Sequence, residues 1–282
     1  LNAITYPDGM GVGYGYERGR LSAMSVSVNG AAGSVVAGAQ YQPFGPANSW
    51  IFGNGLSRSR SYDLDGRMTA MTVASGAGAP LQHLSYGYTP DNEINRIADE
   101  VAPGLAQDFG YDALSRLTRV TRYGVDNMLS YDANGNHDRF VGGDTSIAYE
   151  IDPGSNRLLS ANSNANGVRS FVYDALGNRT SESSEAGVRE TRYDGDNRLH
   201  AILDNGNFVR AINYNALGEM AWKGNGGADG VTYVYAGQNQ LLSEQDVVKA
   251  GTPTTNYLWF GNELVGLVRN GQISYVHNDH LG

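Results

Sequence analysis

The sequence predicts an all-β protein, a long antiparallel sheet of about thirteen hairpins that coils into part of a shell. Three observations predict this fold class. A phrase that opens with tyrosine, followed by aspartate in its clearest copies, recurs at intervals of 18 to 26 residues, and such a period indicates a repeat architecture. Each copy carries turn residues at both ends of a short apolar run. No segment keeps a helical period over several turns.

The first element of each unit is a tyrosine. Clear copies of the phrase read YDALGNRTSE from Tyr173 and YDGDNRLHAI from Tyr193. The repeat tyrosines are predicted to be Tyr16, Tyr41, Tyr62, Tyr88, Tyr111, Tyr131, Tyr149, Tyr173, Tyr193, Tyr214, Tyr235, Tyr257 and Tyr275. A structural role is expected, because each ring buries a large area and its hydroxyl can bond at a strand end. The alternative is a row of aromatic rings that binds sugars.

Two kinds of turn are predicted in each unit. In the phrase itself, Asp174 should accept a hydrogen bond from a backbone N–H two residues on, and Gly177 should take positive φ to close the loop. At the opposite end, Asn205-Gly206 and Asn270-Gly271 lie between apolar runs. These pairs favour type I′ turns, which need positive φ at both central residues. Each unit is therefore two strands of about six or seven residues.

Apolar residues three apart follow the phrase, as in Leu117 and Val120 or Leu199 and Ile202. A β-bulge would turn such residues to one face, and a short helical turn is the alternative. About 26 strands would make a ribbon about 125 Å wide if flat. Strand twist should coil it into a spiral or shell. A β-propeller is the second architecture considered, but odd and even units do not differ as its blades would require.

Composition excludes several function classes. Lys plus Arg number 20 against 29 Asp plus Glu, a net charge of −9, which argues against a nucleic-acid or anionic-membrane surface. There is no cysteine, so disulfides and thiolate metal sites are ruled out. No apolar run reaches the roughly 18 residues of a membrane span, and the first residues do not read as a signal peptide. Both ends read as interrupted repeats, so we expect a piece of a longer protein.

Few residues suggest chemistry, and each has a structural interpretation. The run GMGVGYGYE lacks GxGxxG spacing and a following helix. Asp152-Pro153-Gly154 is interpreted as a turn rather than a cleavage motif. Asp132, Asn134, Asn136 and Asp138 alternate as in calcium loops, yet the required glycine and glutamate are missing. His277 and His280 have no third ligand in view. We expect no catalytic residue, no cofactor and no metal.

The phrase Y-D-x-x-G-N-R-L at about 21-residue intervals resembles the YD repeats of the RHS family, which includes polymorphic bacterial toxins, component C of insecticidal toxin complexes and the teneurins. YQPFGPANSWIFGNGL from Tyr41 resembles a bacterial variant of the repeat. YVHNDHLG from Tyr275 resembles the opening of the RHS-associated core. The expected domains are therefore a YD-repeat segment over residues 1–274 and a truncated core over 275–282.

The resemblance implies a hollow shell that encloses a C-terminal toxin domain, with a core-associated aspartyl site that cuts the domain free. The segments that carry this cleavage should follow residue 282. The implied function is a non-enzymatic shell segment of an exported bacterial protein, secreted or at the cell surface. Its implied partners are the rest of its shell, the enclosed toxin and delivery components. The alternative is a cell-surface adhesion or carbohydrate-binding module.

Overall fold

In the computed structural model, the described residues are 2–43, 45–76, 78–226, 229–237, 240–247 and 254–281. Their strands are β1 (Ala3–Thr5), β2 (Gly11–Glu17), β3 (Arg20–Val28), β4 (Ala31–Tyr41), β5 (Ala47–Phe52), β6 (Leu56–Tyr62), β7 (Met68–Ser75), β8 (Pro80–Tyr88), β9 (Ile94–Asp99), β10 (Gln107–Tyr111), β11 (Leu117–Arg122), β12 (Val125–Tyr131), β13 (His137–Gly142), β14 (Thr145–Ile151), β15 (Leu158–Ser163), β16 (Gly167–Tyr173), β17 (Arg179–Ser184), β18 (Gly187–Tyr193), β19 (Leu199–Asp204), β20 (Asn207–Tyr214), β21 (Met220–Gly224), β22 (Gly230–Tyr235), β23 (Leu241–Asp246), β24 (Thr255–Phe260), β25 (Glu263–Arg269) and β26 (Gln272–Tyr275).

The predicted fold class is confirmed. The 26 strands belong to one sheet, and strands that follow each other in sequence pair antiparallel, as β10 with β11 and β11 with β12. A single 3₁₀ turn lies at Pro103–Leu105, between β9 and β10.

A β-bulge follows the repeat tyrosine in unit after unit. Tyr193 pairs with Leu199, whereas Arg192 pairs with Ala201, so His200 is the extra residue. The same shift occurs at Tyr111, which pairs with Leu117 while Gly110 pairs with Arg119. Because the bulge absorbs one residue, positions three apart reach the same face. The predicted bulge is confirmed, and the helical-turn alternative is wrong at these positions.

The backbone dihedrals define both turns. Asn205 and Gly206 have φ of 50° and 77°, and Asn270 and Gly271 have 53° and 74°, the values that a type I′ hairpin needs. Gly177 has φ of 91°. The positions equivalent to Gly177 in other units are filled by glycine, asparagine or serine with positive φ: Gly66, Asn92, Ser115, Gly135, Asn156, Asn197 and Gly218. Asparagine tolerates this region better than most residues do.

Two compact units are distinguished by their internal contacts. The core unit comprises Leu1–Gly87, Ile97–Pro103 and Val231–Gly282, and the repeat unit comprises Tyr88–Arg96 and Gly104–Gly230.

The core unit has a largely apolar interior. Strands from its two ends in sequence both contribute to it, because the Trp50 ring of β5 lies 6.0 Å from the Phe260 ring of β24. Side chains of β2 to β5 and of β23 to β25 form one buried cluster, which includes Val12, Met24, Val26, Val35, Val36, Trp50, Phe52, Leu258, Phe260, Val265 and Val268. Burying each large side chain stabilises the fold by about 1.5–3 kcal/mol.

The repeat unit buries far less. Its buried hydrophobic side chains among the described residues are Ala161, Phe171, Ala201, Leu203 and Ile212, and of these only Ala161 is less than 2% exposed. Most other side chains of its strands are half-buried or exposed. Its order must therefore depend more heavily on hydrogen bonds at the strand ends, including those that the repeat tyrosines make.

Candidate functional site

The repeat tyrosines tie successive hairpins together. The Tyr193 hydroxyl donates to the Arg179 carbonyl at 3.1 Å, and the Tyr214 hydroxyl donates to the Leu199 carbonyl at 2.9 Å. Each acceptor is the residue that pairs with the preceding repeat tyrosine, since Tyr173 pairs with Arg179 and Tyr193 with Leu199. The same bond recurs at Tyr41, Tyr111, Tyr131 and Tyr173, with distances of 2.7 to 2.9 Å.

The aspartate of the phrase organises its turn. The Asp174 carboxylate accepts the Asn178 backbone N–H at Oδ1 and the Asn178 amide at Oδ2, both at 2.9 Å. The Gly177 N–H donates to the Asp174 carbonyl at 3.2 Å. These donors, the Asn178 side chain first, lower the pKa of Asp174. Arg116 lowers the pKa of Asp112 in the same way. The carboxylates of the phrase are therefore committed to their own turns.

The last residue of the turn reaches the next hairpin. The Arg116 guanidinium lies over the Tyr131 ring, 4.5 Å from its centroid, and Arg198 lies over Tyr214 at 4.8 Å. Where asparagine takes the arginine position, it bonds to the next turn instead, as Asn178 Nδ2 does to Asn197 Oδ1 at 2.5 Å. Cation–π contacts of this kind contribute about 0.5–1 kcal/mol at exposed sites. The turns thus form a continuous edge of linked side chains.

Two of the predicted repeat tyrosines are corrected by the structure. Trp259, not Tyr257, pairs across the bulge with the residue after the turn, Leu264. Its indole N–H donates to the Leu241 carbonyl at 2.8 Å, replacing the tyrosine hydroxyl.

In another of the sequence repeats, Ile151 pairs with Leu158 across the bulge. Ile151, not Tyr149, therefore holds the repeat position. Position in the strand pairing defines the repeat. In both of these repeats, a tyrosine two residues before the true position misled the sequence interpretation.

The remaining repeat tyrosines differ in their surroundings. Tyr16 and Tyr62 pair across a bulge like the others, and so does Tyr235. Tyr16 is 48% exposed. Tyr275, in the last strand, donates from its hydroxyl to the Ser34 carbonyl at 3.3 Å. Tyr88 ends β8, directly before a turn that the Thr89 N–H closes on the Glu93 carbonyl at 2.8 Å.

A buried arginine cluster is the second polar feature, and sequence reasoning missed it. The Arg58 side chain is fully buried in the core unit, with its guanidinium 5.1 Å from the Trp50 ring. Arg60 makes a bidentate pair with Glu263, at 2.7 and 2.5 Å. Burial, and next the Arg60 cation, lower the pKa of Arg58 to about 10.

The Arg58 cluster fixes the last described segment of the chain. Arg58 Nη2 donates to the Asn278 carbonyl at 3.1 Å. The His277 ring packs edge-on against Phe52 at 4.8 Å, and the His280 ring packs against Tyr86 at 5.0 Å. The two histidines therefore contact different aromatic rings. Burial, and next Arg58, lower the pKa of His277.

The other motif residues lie in turns. The Asp152 carboxylate accepts the Gly154 N–H at 2.9 Å and the Ser155 hydroxyl at 2.7 Å. The Asp132 carboxylate accepts the N–H groups of Asn134 and Asn136, each at 2.9 Å. Among the described residues, no cluster of three or more His, Asp or Glu side chains could hold a metal ion. No helix in the described part of the chain is long and apolar enough to cross a membrane.

The fold and its tyrosine–aspartate turns define a YD-repeat antiparallel sheet. No protein-family model matches the sequence, and no curated protein matches it either. Solved structures do match. A chain of the TcdB2-TccC3-Cdc42 crystal structure superimposes on 99% of this chain with a TM-score of 0.77 and 15% identity. A chain of the Photorhabdus luminescens Tc holotoxin pore, with a TccC3 mutation, matches 95% of it with a TM-score of 0.60 and 14% identity.

The likeness to these solved chains establishes a fold shared with chains of TcdB2-TccC3 toxin complexes. A chain of the TcdB2-TccC3-TEV crystal structure matches 97% of this chain as well, with a TM-score of 0.59 and 14% identity. The chain spans only 14% to 17% of the length of these structures. It has the fold of one stretch of a much longer protein.

Proposed function

We propose that this chain is a non-enzymatic wall segment of the YD-repeat shell of an exported bacterial RHS protein. The shell encloses and protects a C-terminal toxin domain that is not part of this chain. The wall acts by confinement, which keeps the toxin from its targets until delivery. The partners of the segment are the remainder of its shell, the enclosed toxin and the delivery components, and the complete protein is secreted or lies at the cell surface.

The observation that carries the proposal is the edge of linked turns in the repeat unit. Each tyrosine hydroxyl bonds one hairpin back, as Tyr193 does to Arg179 and Tyr214 does to Leu199. The repeat unit has few fully buried side chains, so its strands are ordered with little interior of their own. A sheet held at its edges can extend as a thin wall, which is what an enclosing container requires.

The turn carboxylates of the described residues do not argue for an enzyme instead. The carboxylates at the turns accept hydrogen bonds from their own loops, as Asp132, Asp152 and Asp174 do. We therefore expect the purified chain to be inert. After several days at neutral pH, intact-mass spectrometry should give one unchanged mass, and nuclease and peptidase assays should stay at background. A specific cut, for example after Asp152, would contradict the inert-wall proposal.

The adhesion alternative requires tyrosine faces and hydroxyls that are available to sugars. The hydroxyls of Tyr111, Tyr131, Tyr173, Tyr193 and Tyr214 already donate to backbone carbonyls. We therefore expect no reproducible binding on a glycan array. A micromolar hit that disappears in Tyr173→Ala, but not in the control Tyr123→Ala at a 64% exposed tyrosine, would favour adhesion.

The enclosing role is tested on the complete gene product that contains this segment. The proposal predicts that this product continues into a C-terminal domain that resists trypsin while the shell is intact. Trp50→Ala, which opens the core unit, should make that domain sensitive to trypsin. Ile51→Ala, at a neighbouring 51% exposed side chain, should leave it resistant. A product without such a domain, or a domain that is digested equally in all three proteins, would contradict enclosure.

A further inference from the structure

The core unit contains an open cavity of about 390 Å³ that the shell fold does not explain. The N-terminal turn at Asp8, the β3–β4 turn at Asn29 and the β25–β26 turn at Asn270 form its rim. Its floor is Met10, Asn256 and Val268, which are all buried. Three turns and a buried floor thus surround one space.

The floor holds a polar atom without a partner. Asn256 is 1% exposed, and its Nδ2 donates to Asp8 Oδ2 at 2.7 Å. This bond fixes the orientation of the amide, because a carboxylate accepts only from the amide nitrogen. Asn256 Oδ1 is buried and accepts no hydrogen bond. Buried acceptors are almost always satisfied in native proteins, so an unpaired one calls for a donor.

The charge of the cavity favours a cation. The Asp8 carboxylate accepts the Met10 N–H at 3.0 Å and the Asn256 amide. A carboxylate offers about four acceptor positions, so it can accept further bonds. The described residues that line the cavity include this one carboxylate and no Lys, Arg or His. The described lining of the cavity therefore presents negative charge.

The walls favour a ligand with an aliphatic stem. Met10, Val28 and Val268 present apolar side chains beside the polar group formed by Asp8 and Asn256. A bare divalent cation fits poorly, because calcium takes six to eight oxygen ligands and gains nothing from apolar walls. Long cationic side chains bury their methylene stems on apolar surface while the charged head binds elsewhere.

We propose that this cavity binds a guanidinium or ammonium group at the end of an aliphatic stem. The cationic head donates to Asp8 beside Asn256, and the stem lies on Met10, Val28 and Val268. The same chemistry is carried by an arginine or lysine side chain of a peptide and by a free small amine such as agmatine.

The test titrates the full 282-residue chain with Nα-acetyl-arginine amide, monitored by calorimetry and by NMR shifts of the Asn256 side-chain amide. Nα-acetyl-citrulline amide is the matched neutral ligand. The arginine compound should bind at least about tenfold more tightly than the citrulline compound, since hydrogen bonds between charged partners are the stronger ones. Equal binding, or no binding of either compound, would overturn the proposal.

Variants locate the site. Asp8→Asn should weaken binding of the arginine compound by about tenfold or more. Asp65→Asn is the control, because Asp65 is an exposed turn carboxylate outside the cavity. This variant should bind the arginine compound with the same affinity as the unaltered chain. An equal loss in Asp65→Asn and Asp8→Asn would show only non-specific attraction to an acidic protein and would contradict the site.

Two further ligands distinguish between the two possible sources of the cation. Agmatine represents a free small cation, and the tripeptide acetyl-Gly-Arg-Gly-amide represents a side chain on a protein partner. Tighter binding of the tripeptide assigns the cavity to a peptide partner, and tighter binding of agmatine assigns it to a free amine. Absence of binding by both would overturn the proposal without affecting the wall function.

Discussion

The core unit and the repeat unit hold their strands in different ways. In the core unit Trp50, Phe52 and Leu258 are at most 1% exposed, and packing of side chains from distant strands stabilises the sheet. The repeat unit has few buried side chains, yet it carries the most regular copies of the phrase, such as those from Tyr173 and Tyr193. The most regular turn sequences thus occur in the unit that has fewer buried side chains.

This difference shows what the repeated phrase contributes. A hydrogen bond contributes only about 0.5–1.5 kcal/mol net, and each phrase supplies several within a few residues of each other. Repetition over successive hairpins then replaces part of the burial that a compact core would give. Where the core unit has its interior, the phrase departs from its consensus, as at Trp259 and in the YQPFGP variant from Tyr41.

Ion pairs show the same contrast. Glu263, which is 23% exposed, pairs with Arg60, which is 6% exposed. In the repeat unit, Glu190 and Arg192 are 44% and 64% exposed. The first pair lies in a protein environment, whereas water screens the second.

The largest expected effect is the loss of a core aromatic ring. Trp50→Ala should lower the free energy of unfolding by about 3–5 kcal/mol, because it removes a buried ring that contacts Phe52 and Phe260. Ile51→Ala, on the exposed face of the same strand, should cost under about 1 kcal/mol. Urea denaturation measures both. Similar losses in the two variants would show that the core unit is not held by this interior.

The second expected effect concerns the partly buried ion pair of Arg60 and Glu263. Glu263→Gln should lower the free energy of unfolding by about 3 kcal/mol, because it leaves Arg58 and Arg60 as neighbouring buried cations. Glu190→Gln removes an exposed partner and should cost at most about 1 kcal/mol. The comparison fails if the two variants unfold at the same urea concentration.

The third expected effect concerns the turn of the repeat unit. Gly177→Val should lower the free energy of unfolding by about 1 kcal/mol or more, because a β-branched residue is strained at φ of 91°. The adjacent Leu176→Ala changes a 77% exposed side chain and should be close to neutral. A neutral Gly177→Val would mean that the turn is not needed for stability.

The smallest expected effect is acid sensitivity at the turns. The pKa of Asp174 is lowered in the folded state, by the Asn178 side chain first. A lowered folded-state pKa gives stability that is present above the unfolded value of about 3.9 and is lost as pH falls through the folded value. The urea concentration at the midpoint of unfolding should therefore decrease once the pH is below about 4. The drop should be smaller in Asp174→Asn, and an unchanged acid dependence would contradict the assigned role.

Much of this fold could be predicted from the sequence because its determinants are local. Asn205-Gly206 specifies its turn by dihedral preference alone, and the three-residue spacing of Leu199 and Ile202 indicates the bulge. Trp259 and Ile151 were missed because the pattern was anchored on tyrosine. Counting back from the first apolar residue after the turn would not have found them, because Trp259 lies five residues before Leu264 and Ile151 lies seven before Leu158, whereas the regular spacing is six.

The buried arginine cluster could not be predicted, because it depends on packing between residues far apart in sequence. Arg60 and Glu263 are separated by 203 positions, and no local pattern brings them together. Arg58 reads as a surface residue in LSRSRSY, where it alternates with serines. The cavity at Asn256 escaped for the same reason, since three separate turns form its rim.

Hydrogen–deuterium exchange of the unaltered chain, Trp50→Ala and Gly177→Val tests the contrast between the two units most directly. If packing holds the core unit, Trp50→Ala should accelerate exchange together in β2 to β6 and in β24 and β25. If local turns hold the repeat unit, Gly177→Val should accelerate exchange only in β16, β17 and the hairpins beside them. Acceleration throughout the repeat unit in Gly177→Val, or a change confined to β5 in Trp50→Ala, would contradict the account.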